Sequence, residues 1–230
     1  GPLVPHFWRV PTDNDEGGGA TSFAHRWREA GLDRLQLTDQ APAVEQRADG
    51  SVRVNAVSRA AGTRAALALR LTYDVSPNGV IRVAAKINVD GELPPLPRVG
   101  FQLQMPGRDD TVAWYGRGPQ ESYADRKEGA RIGRHTAAAT DLHFPYVMPQ
   151  ENGNHTDTRW VSVADASGNG LLFTSGDRFD FSAHDYTDAA LLAAKQTQVI
   201  ERDGRVTVDI DLAQMGLGGD DSWSPRVHPE

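Results

Sequence analysis

The feature that most constrains this chain is a period-two alternation of apolar and polar side chains, broken again and again at X-Gly pairs. VEQRADGSVRVNAVSR alternates around Asp49-Gly50, ALALRLTYDVSPNGVIRVAAKINV around Pro77-Asn78-Gly79, and TQVIERDGRVTVDIDL around Asp203-Gly204. Glycine enters the positive-φ region at little cost, and tight hairpin turns need a residue there. Successive strand side chains point to opposite faces, so Leu67, Leu69, Leu71 and Tyr73 share one face. Ile81, Val83, Ala85 and Ile87 do the same across the turn. VGFQLQMP, RDDTVAWYGRGPQES, RWVSVAD, GLLFTSG and RFDFSAHDY extend the pattern, giving about a dozen short strands. The expected class is all-β, a large antiparallel β-sandwich with one or two short helices.

Those helices are SFAHRWREAGL, with Ser22 as cap and Gly31 as stop, and TDAALLAAK, with Thr187 as cap. ESYADRKEG reads as one helical turn. TDNDEGGG and LHFPYVMPQENGNH read as loops, the second long and ordered. The chain is expected to be one domain, residues 1–230, and a C-terminal fragment of something longer that lacks its last strand.

Composition removes several chemistries. The net charge of −7 opposes a nucleic-acid partner, which needs a surplus of Lys and Arg. The absence of cysteine removes disulfides, thiolate metal sites and cysteine nucleophiles together. GPLVPHFWRVP has no secretory pattern, and AALLAA is far shorter than a membrane span, so a soluble, cytoplasmic protein is expected.

The chain contains no GxSxG, HExxH or P-loop sequence, and GRGPQE has Glu121 where a dinucleotide motif needs its third glycine. The histidines are scattered. DNDEG begins like a calcium loop, but Gly17 takes a ligand position, so no metal site is expected. Glu121, Glu151, Asp220 and Asp221 lie in loops. Two of them could flank a glycosidic bond, or each could cap a turn or pair with Arg126 or Arg159. Asn154-His155-Thr156 is a glycosylation sequon taken as chance.

MGLGGDDSWSP carries the most information in the fewest residues. Gly216, Gly218 and Gly219 permit close approach and positive φ, Asp220 and Asp221 can brace a turn, and Trp223 comes directly after. The ring either plugs the end of a core or offers its face to a sugar.

Four stretches, FWRVPTDND, WYGRGPQESYADR, PYVMPQENG and MGLGGDDSWSP, resemble in order and spacing signatures of the large glycoside hydrolase family 2 β-galactosidases. The resemblance implies the C-terminal domain of such an enzyme, a supersandwich related to galactose mutarotase. The two catalytic glutamates would then lie on a TIM barrel outside this chain, which carries no catalytic residue itself. It implies a substrate contact through Trp223, with Gly218, Gly219, Asp220 and Asp221 supporting its loop. Arg9, Asp13, Asp15, Glu121 and Arg126 would serve as buried or interdomain polar contacts. Magnesium and sodium would belong to the full-length enzyme, held mainly by other domains, with no cofactor in this chain. Expected partners are a β-galactoside such as lactose, the remaining domains of the same chain and further copies of it; no nucleic acid or membrane is expected. Two alternatives stand beside it. One is a free-standing mutarotase-like epimerase using His155 or His184 with Glu121 or Glu151. The other is a carbohydrate-binding module without chemistry.

Overall fold

A computed structural model describes residues 1–218 of the chain. Among them are twelve strands and three short α-helices, and every strand pairing is antiparallel. The all-β antiparallel class expected from the alternation is the class observed. The chain divides into two compact units. One comprises Gly1–Ala24 and the chain from Leu96 onward, and the other is His25–Pro95.

The second unit is a five-stranded sheet of β2 (Gln36–Asp39), β3 (Ala43–Gln46), β4 (Val52–Ala61), β5 (Ala65–Val75) and β6 (Ile81–Gly91). Gly50 and Gly79 turn with φ of 81° and 86°, where the sequence requires them. Leu67, Leu69 and Leu71 are buried on one face. Their partners on β6 sit in register on the same face, yet Ile81 and Val83 are exposed. Trp27, from α2 (Phe23–Ala30), is fully buried and donates from its indole nitrogen to the Pro95 carbonyl at 2.8 Å. Gly31, with φ of 78°, ends that helix as expected.

The larger unit holds a seven-stranded sheet. It uses β1 (Val4–His6), β7 (Arg98–Pro106), β8 (Thr111–Gly118), β9 (Arg131–Ala138), β10 (His155–Ala164), β11 (Gly170–His184) and β12 (Arg205–Gln214), in the order β1-β7-β12-β11-β10-β8-β9. GLLFTSG and RFDFSAHDY form one long strand, β11, and not two. One sheet face is the apolar core: Leu103, Val208 and Ala183 are cross-strand neighbours, as are Trp114 and Val161. On the opposite face, where alternation would place solvent, Asp209 and Asp211 are buried.

Two local expectations need correction. TDNDEGGG is not all loop: Asp13–Glu16 forms a helical turn, α1, closed by a capping box in which Thr12 and Asp15 bond each other's backbone amides. ESYADRKEG is not helical but a turn closed by a Tyr123–Arg126 bridge. The 142–155 stretch is an ordered loop after a 3-10 turn, as expected. Asn152 accepts from the Phe144 amide at 2.9 Å and donates to the Gln150 carbonyl. The third helix, α3 (Asp188–Ala193), is capped by Thr187.

Candidate functional site

At the end of β12 the chain runs through Met215–Gly218, and side chains from two other motifs meet its backbone there. Arg9 is fully buried and pairs with Asp15 through two bonds of 2.8 and 3.0 Å. This fork geometry holds the guanidinium in one orientation. Its remaining donors reach the Met215 carbonyl at 2.6 Å and the Gly216 carbonyl at 3.0 Å. Asn14 donates to the Leu217 carbonyl at 3.0 Å, and the Met215 amide donates to the Pro97 carbonyl. From the second motif, Asp125 accepts from the Leu217 amide at 2.9 Å and the Gly218 amide at 2.7 Å.

The capping box explains why Arg9 meets a carboxylate at all: it fixes Asp15, which then both caps α1 and neutralises Arg9. Gly216 is a matter of space, because any Cβ there would run into the Asp125 carboxylate. Gly218 is a matter of backbone, with φ of 69°. Of the expected platform, only Gly218 is among the described residues; Gly219, Asp220, Asp221 and Trp223 lie outside them.

The remaining candidates fall into two places. The Glu121 side chain, 7% exposed, holds the Gly153 amide at 2.7 Å, with Arg126 and the Tyr146 hydroxyl on its other oxygen. Its pairing with Arg126 was one of the structural roles open to it; Arg159 instead lies over the Tyr115 ring. Glu121 and His155 line one cavity of about 90 Å³ together with Asp141 and His143. That is well below the ~300–1,000 Å³ typical of small-molecule sites. Burial holds the His155 pKa down at about 3, so its imidazole is neutral. The carboxylate and histidine that an epimerase would need thus line one small cavity.

Glu151 and His184 lie apart from that cavity. Glu151 belongs to a buried cluster around Arg98, whose guanidinium lies 3.1 Å from Asp209, 3.4 Å from Asp211 and 3.5 Å from Glu151. Burial raises the Glu151 pKa against the pull of Arg98. Burial also pushes Asp211 up, to about 8, while Arg98 draws it back. His6 bridges Asp188 and Asp209 at 3.1 and 2.9 Å. Burial would lower its pKa, but the two carboxylates raise it to about 10. His184 donates to the Asn152 carbonyl and stacks on Tyr186. Among the described residues no group of three or more His, Asp or Glu is arranged to hold a metal ion.

Asp125, Asn14 and Arg98 were not singled out from sequence. Asp125 had a signal, since it sits in a motif whose spacing matched; Arg98 had none, being one arginine among many.

These features define the class: an all-β antiparallel domain with a buried polar brace on the segment after its last described strand. A family model described as "Beta galactosidase small chain" matches residues 1–230. The β-galactosidase of Vibrio cholerae serotype O1 is 36% identical over 235 residues, covering 100% of this chain and 22% of that protein. Those of Pseudoalteromonas haloplanktis and Priestia megaterium are 35% and 32% identical, covering 100% and 98% of this chain. The chain belongs to the β-galactosidase small-chain family, and it spans about a fifth of the length of these relatives.

Proposed function

We propose that this chain is the part of a retaining β-galactosidase that presents a substrate-contacting loop, hydrolysis of the terminal β-D-galactoside being carried out by glutamates elsewhere in the enzyme. The observation that carries this reading is the brace. Arg9 and Asn14 from the first motif and Asp125 from the second direct hydrogen bonds to the backbone of Met215–Gly218, which ends five residues before Trp223. Buried charged groups are costly to maintain unless paired. Using them to hold a chain segment makes sense when the position of the adjoining residues matters. An indole face packs against sugar C–H bonds while the hydroxyls keep polar partners. Asp220 and Asp221 then brace the loop and take no part in the chemistry.

The test is Trp223→Ala in the enzyme that carries this chain, read by kinetics and by thermal unfolding. Stacking on a flat ligand is worth about 1–3 kcal/mol. A rise in KM of roughly tenfold is therefore expected, with little change in unfolding midpoint. A stability loss of about 3–5 kcal/mol, the usual cost of emptying an aromatic core site, with unchanged kinetics would make Trp223 a core residue and refute the platform.

A further inference from the structure

We propose that Asp125 is a positioning residue for the sugar platform, acting through the backbone of Leu217 and Gly218; the inference rests on the role proposed for Trp223. Each carboxylate oxygen takes a separate amide, Oδ1 the Leu217 N–H at 2.9 Å and Oδ2 the Gly218 N–H at 2.7 Å. Two adjacent amides on one rigid carboxylate fix the orientation of the intervening peptide as well as its position. Charge-assisted bonds of this kind are the stronger class. Arg9 already retains the segment through the Met215 and Gly216 carbonyls. Asp125 adds control at the last point before the loop, where Gly218 turns the chain with φ of 69°.

Gly216 supports the same reading. Its lack of a side chain is what lets the Asp125 carboxylate lie against the backbone, since a Cβ would occupy that place. Trp223 is only five residues beyond Gly218, a reach of at most about 18 Å even fully extended. The orientation of the Leu217–Gly218 peptide therefore bears on the region that the Trp223 ring can reach. Misplacement of a substrate-contacting group by about 1 Å can cost up to ~10²-fold in rate.

The experiment is a double-mutant cycle in the enzyme that carries this chain, using Asp125→Asn, Trp223→Ala and the pair, with a chromogenic β-galactoside as probe. Asparagine keeps the shape of the side chain but offers one amide a donor where the aspartate offered an acceptor. Asp125→Asn should raise KM about three- to tenfold with kcat changed less than about twofold, a pattern that marks weakened binding and not lost chemistry. In the Trp223→Ala background it should raise KM no further, because coupled residues are non-additive. An unchanged KM for Asp125→Asn beside a raised KM for Trp223→Ala would overturn the inference and leave the platform standing. Equal KM effects of Asp125→Asn in both backgrounds, or an effect on unfolding alone, would also overturn it. A silent Trp223→Ala would remove the platform itself. Should Asp125→Asn fail to fold, Gly216→Ala, which sets a methyl against the same carboxylate, must reproduce the KM pattern; unchanged kinetics there would refute the proposal.

Discussion

Replacing Arg98 by methionine tests the energetics of the buried polar face of the large sheet. The guanidinium is 1% exposed and lies within 3.5 Å of Asp209, Asp211 and Glu151. Methionine fills the stem volume but supplies no charge. Asp209 keeps His6, Gln102 and Ser182 as partners, whereas Asp211 has no hydrogen-bond partner among the described residues. Asp211, already pushed up to about 8, can stay protonated, so the cost falls chiefly on Glu151 and Asp209. Removing one partner of a buried ionic cluster typically costs about 3–5 kcal/mol. For a chain of this size that corresponds to a fall in midpoint of roughly 6–20 °C. The assay is thermal unfolding of the 230-residue chain at pH 7 and pH 5, with Arg59→Met as control. Arg59 and its partner Asp90 are both exposed, so the control should move stability by less than about 1 kcal/mol. The deficit of Arg98→Met should shrink at pH 5, where Glu151, whose pKa burial has raised, takes up a proton more readily. A loss below about 1 kcal/mol at pH 7 would refute this account of the cluster, as would a deficit that grows on acidification.

His6, raised from 6.5 to about 10, binds its proton more tightly folded than unfolded; its stabilisation is complete below pH 6.5 and lost as pH climbs to 10. His6→Asn should therefore flatten the stability profile across that window, and parallel profiles would contradict the assignment. The isolated 230-residue chain should neither hydrolyse a chromogenic β-galactoside nor speed galactose anomerisation in polarimetry. Anomerisation abolished by changing His155 would favour the epimerase reading instead.

The turns were legible because their requirement is local: Gly50, Gly79 and Gly204 each need positive φ, and each has it. The helix stop at Gly31 and the Thr187 cap are equally local. What the alternation could not reveal is what covers a face. It marks Asp209 and Asp211 as facing away from Val206 and Val208, and solvent is the ordinary expectation for such a face. Burying them takes Arg98 from β7 and Glu151 from the 142–155 loop, more than 50 residues distant in sequence. The same limit applies to β6, whose apolar alternation is real although Ile81 and Val83 are exposed in the described unit. At the candidate site, the glycines of the last motif pointed to a constrained backbone. The constraint itself comes from Asn14 and Asp125, about 200 and 90 residues away in sequence, and no pattern within the motif names them.

The most direct test of the central claim is a structure of the enzyme that carries this chain with a non-hydrolysable β-galactoside bound. The account predicts the Trp223 ring in contact with the sugar's C–H face, carbon to carbon at about 4 Å. It also predicts that both carboxylates flanking the glycosidic oxygen come from residues outside this chain. A sugar held between Glu121 and His155, or a Trp223 ring packed into this domain's own core away from the ligand, would contradict it.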